Sequence, residues 1–455
     1  MMGTCPTLSA MRALLWFRDD LRVQDNLALL AATESAEEVV AVYLLDEHSP
    51  EVRPLGGASK WWLHHSLNAL HAELKALGIQ LIFRTGAARE AIPALAKEIQ
   101  ASAVFWNRRY GASRAIDADI KQHLHHEGIE ASSFPGHLLF EPWNIANKQG
   151  DPYKVFTPFW RACREQPAPA YPKDAPDPLG GTPSDFTTAS LDQILPLPTW
   201  PHEFAQHWQP GAAGAYEALE DFLDHTIDDY ADGRDVPALG HTSKLSPHLR
   251  FGEISPREVW HAVAEHPAHD SEGARVFLSE LGWREFAWHT LYRHPDLATR
   301  GLDRRFDAMV WEHDPEGLTL WQQGKTGFGL VDAGLRELWR TGTMHNRVRM
   351  AAASLLVKNM MIDWRLGEQW FWDTLLDADE ASNPFNWQWV AGCGADASPY
   401  FRIFNPETQQ KKFDANGKYV NRWAPDWMAH TPVVDLRESR ARALTAFDAI
   451  KGLPR

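Results

Sequence analysis

At 455 residues, 44% of them hydrophobic, the chain is long enough for two or three domains with sizeable cores. Sixty acidic against 45 basic side chains leave a net charge of −15, which excludes a generic polyanion-coating surface and restricts any nucleic-acid contact to a local basic patch. Three scattered cysteines (Cys5, Cys163, Cys393), no CxxC pair, no secretory leader and no apolar run of membrane-spanning length predict a cytoplasmic protein without a membrane partner.

In the first third, short apolar runs at 13–17, 39–45, 80–83 and 103–106 have strand length and β-branched or aromatic content. Helix-like stretches at 27–33, 60–77, 87–99 and 114–125 alternate with them, which predicts a doubly wound parallel sheet. No GxGxxG follows the first strand, so a standard dinucleotide site is not expected there. The strand runs instead into WFRDDLRVQDN, where Arg18, Asp19, Asp20, Arg22 and Asp25 predict a turn closed by its own salt bridges. Nine prolines between 167 and 201 predict a surface linker without regular structure. The chain divides accordingly into an α/β domain (1–135), a linker (136–210) and a helical domain (211–455). Helical spacing recurs in the last of these at 215–223, 256–264, 274–291 and 329–340.

Residues 342–406 concentrate the unusual chemistry. Gly342 interrupts the preceding helix, and Met344, Val348, Ala351, Ala352, Leu355 and Leu356 then recur at helical spacing. On such a helix Asn346, Arg349 and Met350 share one face. A buried Arg349 needs a carboxylate, and Asp377 is the candidate partner. Upstream, HTSKLSP (241–247) offers hydroxyl and backbone N–H groups ahead of a helix, a pattern that alone suits an N-cap as well as a phosphate site. No His/Cys cluster predicts a metal site.

The ordered series MHNRVRM, LLDADEASN, NWQW and GADASPYFRIFNP, with TSKLS and WFRDDLRVQDN upstream, resembles the photolyase/cryptochrome family over nearly the whole chain. The closest likeness is to its cyclobutane pyrimidine dimer photolyases. The resemblance implies an α/β + all-α protein. An N-terminal doubly wound parallel-sheet (antenna) domain would be joined by a long linker to a C-terminal helical domain that binds FAD and the DNA lesion. For the cofactor it implies Tyr230, Thr242, Ser243, Lys244, Leu245, Ser246, Phe277, Arg284, Arg349, Asp377, Asp379 and Asn383. For catalysis on the lesion it implies Glu280, Trp283, Asn346, Met350 and Trp389. Arg234, Arg347 and Gln409 would join Glu280, Trp283 and Asn346 in holding DNA. Trp387, Trp364 and Trp311 fall at the spacings of the family's electron-transfer chain, although core packing is a fair competitor for Trp364 and Trp311 taken separately.

The implied activity is blue-light-driven repair of cyclobutane pyrimidine dimers by electron transfer from reduced FAD. The resemblance thus implies deoxyribodipyrimidine photo-lyase activity, exerted by a monomer on UV-damaged DNA. Asn346, where (6-4) photolyases carry a second histidine next to His345, disfavours the (6-4) reaction. Asn383 stands where plant-type cryptochromes have Asp, which favours repair. The run WFWDTLLDAD (370–379) does resemble those cryptochromes, and a blue-light photoreceptor without repair is the alternative. Thr343 departs from the Trp that many relatives have before MHN. A second antenna chromophore, a reduced folate or a deazaflavin, stays open: Gly111 and Arg114 stand where folate-binding relatives place acidic residues.

Overall fold

The computed structural model describes residues 11–180, 185–397 and 401–454; Cys5 and residues 398–400 of the GADASPYFRIFNP run lie outside them. Five parallel strands, β1 (Arg12–Phe17), β2 (Glu38–Leu45), β3 (Gln80–Thr85), β4 (Ala103–Asn107) and β5 (Glu130–Phe134), form one sheet in the order β3-β2-β1-β4-β5. Between them run α1 (Leu27–Ser35), α2 (Gly57–Ala76), α3 (Ala88–Glu98) and α4 (Arg114–His126). The sheet is buried on both faces. Leu15, Phe17, Ala41 and Leu81 pack with α2 on one side, and Leu14, Trp16, Val42 and Ile82 pack with α3 and α4 on the other. Four strands follow the apolar runs of the sequence. The fifth, EASSF, was not legible there: only its Ala131 is buried, so it carries no apolar run.

Beyond β5 the chain forms α5 (Phe156–Arg164) ahead of the proline-rich stretch, and within that stretch the described residues form only the short α6 (Leu191–Ile194). Its extended parts are tied to the sheet: Phe83 N donates to Thr188 Oγ1 at 2.9 Å, and Gln80 exchanges two hydrogen bonds with the Phe186 backbone at 2.9 and 3.0 Å. These contacts cover the β3 edge, whose backbone would otherwise invite another strand.

Helices make up the rest: α7 (Ala212–His225), α8 (Tyr230–Gly233), α9 (Ser246–Phe251), α10 (Pro256–Glu265), α11 (Glu272–Arg293), α12 (Pro315–Gln322), α13 (Gly329–Thr341) and α14 (Asn346–Ser354). After these come α15 (Trp364–Thr374), α16 (Ser382–Ala391), α17 (Pro406–Phe413), α18 (Lys418–Trp423) and α19 (Leu436–Ile450). Their largest core joins Trp321, Leu335, Val348, Leu356, Trp364, Phe371 and Trp387. Gly342 closes α13 in the left-handed region (φ 71), where glycine carries no Cβ penalty.

The charges of the WFRDDLRVQDN turn do not close on one another as expected. Asp19 pairs with Arg250 of α9 at 2.7 Å, and Asp25 holds Arg257 of α10 at 2.7 Å. Arg22 donates to the Gly252 carbonyl at 2.9 Å. The turn thus fastens the sheet to α9 and α10. Asp25 is fully buried, so each of its oxygens needs the donors it receives.

Candidate functional site: a cavity between the 241–247 loop and the α14–α16 helices

A cavity of about 1290 Å³ opens among α8, α9, α11, α14, α16 and α18. That exceeds the roughly 300–1,000 Å³ of an ordinary small-molecule site. Its walls follow from local sequence. Gly342 ends α13, and His345 caps α14 by accepting from Arg347 N at 3.2 Å, so the helix starts two residues after the apolar Met344. From that start Asn346, Arg347, Arg349 and Met350 all reach the cavity.

On one wall Arg349 donates to Asp377 at 2.9 Å and to the Met344 carbonyl at 2.6 Å. The expected pair therefore forms, but Arg349 is not a core residue: its side chain is 26% exposed, through the cavity. Asp377 Oδ1 is buried without a hydrogen-bond partner, and so is the Trp387 indole N–H. A buried acceptor and a buried donor, both left over on one cavity wall, suit a polar heterocycle with edge N–H and C=O groups. Asn383 is held by its amide nitrogen, which donates to the Glu368 carboxylate at 2.8 Å and carbonyl at 3.1 Å. Its oxygen is thereby left to face the cavity as an acceptor. Glu368 is fixed in turn by both guanidinium nitrogens of Arg53, at 2.6 and 2.9 Å, and burial raises its pKa.

Asp379 lines the same wall but its carboxylate is already engaged. It accepts from Ala381 N at 2.8 Å and from Ser382 N, and so satisfies N–H groups at the start of α16 that have no partner within the helix. Burial raises its pKa all the same. On the opposite wall lies the 241–247 loop. α9 is only six residues long and Leu245, its N-cap, makes no side-chain cap bond. Ser243 Oγ accepts from Leu245 N at 3.4 Å just ahead of α9, and the loop presents Thr242, Ser243, Lys244 and Ser246 to the cavity. Tyr230 and Phe277 pack edge-on at 5.5 Å behind it.

At the mouth Trp283 offers one ring face to the cavity, while Phe156 of α5 stacks on the other at 3.7 Å. Asn346, Met350 and Trp389 complete that side. Glu280, half-buried with 35% of its side chain exposed, is ion-paired with Arg234. Burial opposes the Arg234 charge, but the bond to Glu280 outweighs it and raises the arginine's pKa. Arg284 reaches the cavity and also donates to the His137 carbonyl at 2.8 Å, which ties the site to the chain after β5.

Three expected residues lie outside the cavity. Trp364 is buried in the core that contains Trp387, and Trp311 packs on the edge of that core with partial exposure. Trp387 itself lines the cavity, and its ring packs against Trp321 and Phe371. Gln409 sits on α17 and does not line the cavity. Sequence reasoning missed Asp235, Glu337, Glu368 and Tyr419. The first, second and fourth line the cavity, and Glu368 lies just behind Asn383. No motif marks them; only folding brings them in.

A family model described as DNA photolyase matches residues 13–178, and one described as the FAD binding domain of DNA photolyase matches residues 277–432. The chain belongs to the DNA photolyase family. A deoxyribodipyrimidine photo-lyase of Agrobacterium fabrum is 44% identical, covering 98% of this chain and 99% of its own. The crystal structure of a bacterial class III photolyase from Agrobacterium tumefaciens superposes with a TM-score of 0.93 at 43% identity, covering 99% of this chain and all of the other. An archaeal photolyase from Sulfolobus tokodaii, solved with two FAD molecules, superposes at 0.82 with 28% identity, covering 97% of this chain and 100% of that one. The α/β + all-α architecture of this photolyase-family chain is that of these relatives, and its FAD-binding match runs from within α11 through α18. Among the described residues no helix is long and apolar enough to cross a membrane.

Proposed function

We propose that the protein is a blue-light-driven deoxyribodipyrimidine photo-lyase that splits cyclobutane pyrimidine dimers in DNA. One observation carries the reading. Arg349, Asp377 and Asn383, which suit a flavin edge, line the same cavity as Glu280, Trp283, Asn346 and Met350, which suit a pyrimidine dimer.

FAD, when bound, supplies the light absorption and the electron chemistry; the protein supplies position and field. Arg349, held by Asp377, would put positive charge beside the flavin edge. The Asn383 oxygen would accept from a ring N–H, and because its amide nitrogen is occupied by Glu368 it would deliver no proton. Thr242, Ser243 and Ser246 are suited to the pyrophosphate oxygens, with Lys244 beside them. A dimer reaches such a site only when turned out of the duplex, as enzymes that act on a base require. Trp283, backed by Phe156, gives it a rigid aromatic wall. The Glu280 carboxyl is placed to hydrogen-bond a pyrimidine and to strengthen that bond as negative charge develops there. Trp387, Trp364 and Trp311 form the proposed path by which electrons reach the site from solvent.

An antenna remains part of the proposal. A second cavity, between the strand ends and α9, holds about 110 Å³ and is crowded by Arg18, Arg109, Arg250 and Glu380. A tricyclic chromophore there needs those side chains to move. The reading also takes the protein as a monomer in the cytoplasm; the buried free thiols Cys163 and Cys393 suit that reducing compartment.

Blue-light irradiation of reduced protein with an oligonucleotide carrying one cyclobutane dimer tests the function. Restored thymines are expected in light and none in darkness. Repair of (6-4) products alone, or flavin photochemistry without repair, would overturn it in favour of another photolyase or of a photoreceptor.

A further inference from the structure

We propose that Asp235 is a positioning residue that masks the two arginines at the cavity mouth, Arg234 and Arg347, until DNA phosphates displace it, and that this displacement frees Glu280 for the lesion. The proposal rests on the repair reading above and deepens it.

Four charged side chains meet at the mouth, and all line the cavity. Arg347 grips Asp235 with two parallel bonds, Nε to Oδ1 and Nη2 to Oδ2, both 2.8 Å. Arg234 is paired with Glu280, and its Nε lies 3.9 Å from Asp235 Oδ1. The order Arg347–Asp235–Arg234–Glu280 therefore alternates in sign and sums to zero. On a chain of net charge −15, a closed set of this kind gives undamaged DNA little to hold.

The same geometry makes the set exchangeable. A planar guanidinium fork takes phosphate as readily as carboxylate. Asp235 and Arg347 are each about a third exposed, at 32% and 30%, and so partly exposed an ion pair is weak enough to trade partners. Neither arginine must find a new orientation. Arg234 lies over the Tyr230 ring at 5.3 Å and Arg347 over the Phe413 ring at 5.4 Å, so aromatic faces hold both forks in place. The backbone linking the pairs is stiff as well, since His345 accepts from Arg347 N while its ring also bonds the Arg234 backbone.

A flipped lesion brings its flanking phosphates to the mouth. When Arg347 and Arg234 take these phosphates as partners in place of the carboxylates, Glu280 loses its ion pair just as a pyrimidine arrives to replace it. Backbone contact and lesion contact are thereby coupled, and Asp235 sets the preference for damaged over intact strands.

Binding of dimer-containing and undamaged duplex to the flavin-loaded protein tests this. Asp235→Asn should tighten binding of undamaged duplex by roughly 3–10-fold, the effect of removing one charge close to phosphates. Binding of damaged duplex should tighten less, so the preference narrows, and Asp235→Glu should restore it. An Asp235→Asn protein with its flavin retained and its preference unchanged would overturn the masking role. Wild type supplies an arm that needs no variant. The slope of log affinity against log salt should be steeper for damaged duplex by about 1–2, because phosphates engage the arginines only there; equal slopes overturn the proposal. Wild-type protein with no preference for the dimer would instead remove the repair reading itself.

Discussion

Asp377 is the residue on which the cofactor wall depends. One of its oxygens holds Arg349 at 2.9 Å and the other is buried with no partner in the protein. Replacing it by Ala leaves the Arg349 guanidinium with the Met344 carbonyl alone, at a cost of about 3 kcal/mol for a charge stripped of its carboxylate. The expected outcome for Asp377→Ala is loss of most bound FAD, read as the ratio of flavin to protein absorbance after purification. Full occupancy would mean that the wall is organised by other groups. This pair was legible in the sequence because a helical Arg and a distant Asp sit in recognisable runs. The neighbouring role of Glu368 was not: its carboxylate is matched to Asn383 by the packing of α15 on α16, and 15 positions of chain separate the two.

His345 decides how α14 begins, and α14 carries most of one wall. Its ring accepts from Arg347 N, so it must be neutral to act as a cap. Burial lowers its pKa from 6.5 to about 4, with Arg349 and Arg347 acting the same way and Asp235 and the Arg234 backbone acting against. A base whose folded pKa is depressed adds stability that is full above the unfolded value and lost as pH falls through the folded one. His345 therefore stabilises the protein above about pH 6.5, and that contribution, of roughly 3 kcal/mol, disappears between pH 6.5 and 4. His345→Asn, which keeps a capping acceptor without a titrating ring, should show a flatter loss of stability over that range in denaturant titrations. An unchanged pH profile would remove His345 from the account. At this scale the sequence was readable wherever an element buries a regular apolar stripe, as α10, α11 and α13 do. It was unreadable for β5, which finds its place through backbone pairing with β4, and for α6, four residues that register only when packed on the sheet.

Across the whole molecule the site is assembled from pieces that sequence keeps apart. Arg53 comes from the chain between β2 and α2, yet it fixes Glu368 and through it Asn383. Asp19 and Asp25 come from the turn after β1 and anchor α9 and α10, next to the 241–247 loop. The order of family motifs revealed the architecture and most cavity residues. The partners that orient them became visible only in three dimensions. What the arrangement claims is a division of labour at the mouth, with Glu280 acting on the charged form of the lesion and Trp283 on both forms alike. The repair yield per absorbed blue photon at saturating dimer, measured beside dimer affinity in wild type, Glu280→Ala and Trp283→Ala, tests this most directly. The account predicts light-dependent repair in wild type, a lowered yield with nearly parental affinity in Glu280→Ala, and affinity weakened by roughly 1–3 kcal/mol with yield retained in Trp283→Ala. No light-dependent repair in wild type, or equal losses of affinity and yield in both variants, would contradict it.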